Sequence, residues 1–238
     1  MRNTLTLCAL ALLLAGWGLP RAAALDTEIE ARNEFVKAYN GTGPAARLEA
    51  VAKLKGLHEP ASLQMIYKVA TVDQDPVVRK AAFTLLCELN DKDGYVARLA
   101  AAAFDAEKDR DARKELATLM STLKFRHDPV KAFAHYLTTL RYPPLPDTRD
   151  RNNQGGGSQY GMGSSTTSRE VAAATRKHFE EILVIFNAMA GSSFKADYDT
   201  PAEIKKWWPT KQAEFLKKDM ELRQQLAEAP KPEEEKKQ

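Results

Sequence analysis

Three stretches of this 238-residue chain carry the same apolar spacing at a nearly fixed distance. Leu63, Ile66, Tyr67 and Ala70 stand at i, i+3, i+4 and i+7; Val96, Leu99, Ala100 and Ala103 repeat this 33 residues on, and Val130, Phe133, Ala134 and Leu137 a further 34 on. The alternate stretches keep similar time. Val78, Ala81, Ala82, Leu85, Leu86 and Leu89 form one stripe, and Ala112, Leu116, Leu119, Met120 and Leu123 follow at 34, with Glu115 at the odd position. Such spacing is that of a helix with one greasy side, and strand signals are almost absent. Two-helix units recurring at this period cannot each bury their stripes alone, so they are expected to stack into a continuous core. The expected fold is therefore all-α: a short α-solenoid of helical hairpins with additional C-terminal helices.

Helix punctuation agrees. Asp75 before Pro76 and Asp128 before Pro129 place a capping acceptor ahead of a proline at the first helical position, where its missing N–H costs nothing. Thr27 with Glu30, Thr167 with Glu170, and Thr200 with Glu203 have capping-box spacing. Helices are predicted near 27–39, 44–57, 60–71, 76–90, 94–105, 110–123, 129–141, 168–190 and 201–228.

The run Asp75-Pro76-Val77-Val78-Arg79-Lys80-Ala81-Ala82 resembles the start of the first helix of a HEAT repeat. The resemblance covers about residues 44–141. It implies that an Asp and the Arg four residues on link neighbouring repeats by hydrogen bonds. Asp75 and Arg79 have an equivalent in Asp109 and Arg113, again 34 apart, whereas Gly43 stands where a partner Asp for Arg47 would be. Asp75 and Asp109 also read as plain N-caps, and these positions specify a fold and no chemistry.

Residues 25–142 read as the HEAT-like repeat domain. Residues 143–167, rich in Pro, Gly and Ser, read as a flexible linker. Residues 168–228 form a C-terminal helical segment, and 229–238 a disordered charged tail. Phe179, Ile182, Leu183, Phe186 and Met189 lie on one side of helix 168–190, which is expected to dock on the last repeat. Trp207 and Trp208 are expected to close a short helical stretch ahead of Pro209, either packed on the protein's own core or offered to a partner. Ile204-Lys205-Lys206-Trp207-Trp208 resembles a Trp-rich segment of some exported bacterial HEAT proteins, with Ile204 where those usually have another Trp.

Arg2, the apolar run Leu5 to Trp17, the break at Gly18 to Pro20 and the small residues Ala22 to Ala24 read as an export signal cleaved near Ala24. Its removal takes away Arg2 and Arg21 and no acid, leaving 33 basic residues against 32 acidic. That balance argues against nucleic acid as a partner. Cys87 is then the only thiol, so no intramolecular disulfide forms although a periplasmic or extracellular location permits one.

No metal-ligand spacing, nucleophile elbow or phosphate loop occurs, and no cofactor is expected. The first functional expectation is a non-enzymatic scaffold or adaptor binding a protein or peptide through its repeat surface. The residues singled out are Tyr95, Arg98, Lys131, His135 and Tyr136, taken as the most exposed on the second helices, with Trp207 and Trp208. The alternatives are an envelope-associated structural component held to membrane or cell wall by its C-terminal helices, and an enzyme with a site assembled around His135 or His178.

Overall fold

The computed structural model describes residues 19–40, 43–89, 91–140, 142–143 and 162–228, with the backbone alone at 19–26 and 162–168. Among them are nine helices and no strand. They are α1 (Leu19–Tyr39), α2 (Pro44–Ala52), α3 (Pro60–Val72), α4 (Pro76–Glu88), α5 (Tyr95–Ala106), α6 (Arg110–Met120), α7 (His127–Leu140), α8 (Met162–Ala190) and α9 (Thr200–Glu228). The chain divides into two compact units, Met1–Leu89 and Asn90–Gln238. The export signal and the charged tail lie outside the described residues, apart from the backbone of 19–24, and most of the linker does too.

In the first unit α2 packs on α1, α4 on α3, and α2 on α4. Leu63, Ile66, Val69 and Ala70 of α3 meet Val78, Ala82, Phe83, Leu85 and Leu86 of α4 in the core, so the recurring stripes are the buried faces. Removing each large side chain from water contributes about 1.5–3 kcal/mol. Within its unit α4 packs on both α3 and α2. Helix α2 stops at Ala52 and not at 57. Its last amides, on Lys53, Leu54 and Lys55, shorten to bonds three residues back, and Gly56 then takes φ +82°, a left-handed turn that a Cβ disfavours.

Asp73 is the polar centre of this unit. Although only 7% exposed, it accepts from the Tyr39 hydroxyl at 2.5 Å, from Arg47 Nε at 3.0 Å and from the Asp75 amide at 2.8 Å. One carboxylate thus fastens the end of α1, the body of α2 and the α3–α4 turn. Asp75 caps α4, accepting from the Val77 and Val78 amides at 2.8 and 3.3 Å, while Arg79 donates to the carbonyls of Asp73 and Gln74. The same turn recurs 34 residues later: Glu107 accepts from the Asp109 amide at 3.0 Å and Asp109 caps α6 through the Ala112 amide at 2.8 Å.

In the second unit α6 packs on α5, α7 on α5, α8 on both α6 and α7, and α9 on α7. Phe104, Phe125, Phe133, Phe179 and Phe186 are fully buried, with Phe133 edge-on to Phe104 at 4.9 Å. The C-terminal helices therefore belong to this core. Phe179, Ile182, Leu183, Phe186 and Met189 are all buried, as the one-sided pattern of α8 requires. The chain leaving α7 is tied to α8 by Tyr142, whose ring meets Phe179 at 5.2 Å, and by Arg176 Nε donating to the Pro143 carbonyl at 2.9 Å.

Several expected helix starts are corrected. Thr27 and Thr167 lie inside α1 and α8, which begin at Leu19 and Met162, so neither stands at a helix start; α8 includes the last six residues of the expected linker. The Thr200 hydroxyl turns back to Lys195 and Asp197. Asp128 is within the first turn of α7, and the cap comes from α9: Asp219 accepts from the Arg126 and His127 amides at 2.9 and 3.0 Å. Trp207 and Trp208 close nothing, because α9 runs on through Pro209 to Glu228, with the Thr210 hydroxyl bonding the Trp207 carbonyl at 2.7 Å.

Candidate functional site

Arg98, Ala101, Ala102 and Asp105 recur at three- and four-residue steps and so share one face of α5. Lys131, Ala132, Ala134, His135 and Thr138 do the same on α7, and Ile204, Lys205, Trp208 and Pro209 on α9. Where these faces meet, α5, α7 and α9 enclose a groove of about 630 Å³. Alanines make the floor because small side chains let α5 and α7 approach while leaving room above them. Trp208 and Pro209 make a wall, and charged groups stand on the rim.

Trp208 is held from behind, its ring 5.9 Å from Phe215 and 5.8 Å from His127. Trp207 turns the other way, against Phe186 at 5.6 Å and Phe194 at 5.7 Å, so one tryptophan packs among phenylalanines and the other lines the groove. Asp105 is one of two acids lining the groove; although the residue is exposed, partial burial of its carboxyl pushes it up, against the opposing charges of His135, Arg113 and Lys131. Asp128 is bound to His127 Nδ1 at 2.9 Å.

Four of the seven residues expected from sequence line the groove: Arg98, Lys131, His135 and Trp208. Tyr95 lies beside it, under the Arg98 guanidinium at 4.8 Å, in a smaller cavity of about 420 Å³ shared with Asp93, Gly94, Asp128 and Arg223. Gly94 takes φ +81° at the start of α5, and a Cβ there would meet the Phe125 ring at 3.3 Å, so this corner needs glycine. Trp207 borders a separate cavity with Phe194 and Glu203.

Tyr136 is not exposed, contrary to the expectation. It is 8% exposed, bonded through its hydroxyl to His178 Nε2 at 2.9 Å and covered by the Arg113 guanidinium at 4.3 Å. The stripe positions Val130, Phe133 and Leu137 bury one face of α7, and α8 covers the next face, which holds Tyr136. Docking of that helix is expected from its one-sided pattern, but not the α7 residue it covers, Tyr136 and His178 being 42 residues apart.

His178 is 6% exposed, and its imidazole is held below the ordinary range, first by burial and then by the charge of Arg110; Arg113 adds to this while Glu181 and Asp111 oppose it. Arg110 itself donates to Thr175 at 2.9 Å. Cys87 lies in the first unit, and burial with the nearby Glu88 pushes its thiol up to about 12. A protonated thiol is a poor nucleophile. Among the described residues no group of three or more His, Cys, Asp or Glu could hold a metal ion, and no helix is long and apolar enough to cross a membrane.

The sequence does not single out Asp105, Ala101, Ala102 or Ala132, and it marks Ala134 and Ile204-Lys205 only as part of a stripe and of a Trp-rich segment. Alanines at helical spacing carry the same signal whether they face a core or a groove. Compared with protein-family profiles, curated proteins and solved structures, the chain matches none.

Proposed function

We propose that this protein is an exported, non-enzymatic HEAT-like scaffold that binds another protein or a peptide along the α5–α7–α9 groove. The observation that carries this reading is the groove itself: an apolar floor crossing from one helix to the next, an aromatic wall held from behind, and a charged rim. A helical array offers an elongated surface of this kind, suited to an extended partner.

The repeat reading draws support from the α3–α4 and α5–α6 turns, which use acids in the same two roles 34 residues apart. It also draws support from the packing of alternate helices, α2 on α4 in the first unit and α5 on α7 on α9 in the second. The export reading rests on the N-terminal run of the sequence and is checked by the mass of the protein recovered from cells.

The binding reading is tested by site-specific photo-crosslinking. A photoreactive residue at Thr138 or Lys205 is expected to capture a discrete partner, and one at Val184, on α8 and 69% exposed, is expected to capture none. Ala102→Phe, which fills the floor, should abolish the capture. Equal capture from Val184, or capture indifferent to Ala102→Phe in a correctly folded variant, would discard the groove as the binding surface.

A further inference from the structure

The groove's charges are not balanced within the protein. Lys211, Lys217 and Lys218, farther along α9, pair with Glu214 or Glu221 on their own helix. Arg98, Lys131 and Lys205 make no ion pair among the described residues, although each borders the groove. Two acids, Asp105 and Asp128, also line the groove and offset them in part, two carboxylates against three cations. Asp128 is engaged by His127 at 2.9 Å, and Asp105 stands in the field of Lys131 and His135. The excess of positive charge thus comes from three different helices, and it surrounds an apolar slot walled by Trp208.

Resting on the binding function proposed above, we infer that the groove takes an extended acidic peptide segment, with one apolar or aromatic side chain on the alanine floor beside Trp208 and carboxylates on either side reaching Arg98, Lys131 and Lys205. Each feature has a separate task. The slot removes one apolar side chain from water, as a preformed cavity of this size does for small ligands. The cations choose the sign of the partner and speed its approach. A basic segment is disfavoured, because it would meet like charge on all three helices and only two carboxylates.

The test uses the folded full chain and three capped synthetic peptides built around one phenylalanine: one flanked by Glu and Asp, one by Gln and Asn, one by Lys. Binding is read from indole emission, with Trp208→Phe as the control that assigns the signal to the groove. The acidic peptide is expected to bind, to alter emission only when Trp208 is present, and to weaken about ten-fold or more as salt rises from low to about 0.5 M. The exposed-site double variant Arg98→Glu, Lys131→Glu should lose the acidic peptide and gain the lysine-flanked one.

Equal binding of the Gln/Asn peptide would overturn the charge assignment and leave the peptide groove standing. Failure of all three peptides, with a partner still crosslinked from Thr138, would overturn the acidic-segment inference alone. Failure of both the peptides and the crosslinking would remove the groove as a binding site altogether.

Discussion

Asp73 joins three segments of the first unit through one carboxylate. Burial by itself pushes its carboxyl up, but hydrogen bonds from Tyr39, the Asp75 amide and Arg47 outweigh that and hold it below its ordinary value of 3.8. The same contact drives the Tyr39 phenol up to about 12, chiefly by burial and then by the Asp73 bond. Asp73→Asn keeps the shape and removes the charge facing Arg47, and is expected to cost about 2–3 kcal/mol in urea denaturation. Because the folded form releases the Asp73 proton more readily than the unfolded one, its contribution is complete above about pH 4 and is lost as pH falls through the folded value. A variant as stable as the parent would show that the three contacts do not depend on the charge. His178 shifts stability with pH in the same direction, although here burial favours the neutral ring. The unfolded chain binds a proton at the ordinary imidazole value of 6.5, the folded chain only at lower pH, so stability is full above that value and declines as pH drops through it. His178→Gln should flatten this decline in thermal melts recorded between neutral and mildly acidic pH; an unchanged slope would exclude His178 as its source.

At the level of elements, α9 acts on α7 by more than apolar contact. Asp219 supplies both acceptors for the Arg126 and His127 amides, replacing a local cap. Asp219→Ala leaves those donors without a partner and is expected to cost about 1–2 kcal/mol, with faster protease cleavage near residue 126; Asp128→Ala should cost less. Equal losses from the two substitutions would restore Asp128 as the cap. The same pair of residues marks how far the sequence was legible. Asp128-Pro129 announced a helix start correctly to within two residues, since the signal is local. It gave the wrong capping partner, since the true acceptor is 92 residues away. Recurring apolar spacing revealed the buried faces of α3 to α7 because side-chain burial follows the helical period. It said nothing of Tyr136, whose cover comes from α8, nor of the alanine floor, where the same pattern borders a groove. For Pro209, the rule that proline ends a helix gave way to α9's packing on α7 and to the aromatic cluster of Trp207, Trp208 and Phe215.

On the scale of the whole molecule, each unit has its own apolar centre: Phe83 with Ile66 and Leu86 in one, Phe133 with Phe104 and Leu137 in the other. Phe83→Ala and Phe133→Ala are each expected to cost about 3–5 kcal/mol, read from denaturant unfolding followed by helical circular dichroism. A loss below about 1 kcal/mol in either would mean that the surroundings close over the gap, which dense interiors rarely do. The helices that follow α7 are not appendages to the second unit, because α8 buries five large side chains there and α9 builds one side of the groove. The Asp219 cap bears on the order of events during synthesis. A ribosome that has just released His127 has 92 more residues to make before the acceptor for that amide exists, so the middle of the nascent protein waits for its end, and a premature stop before Asp219 would spoil a helix completed long before.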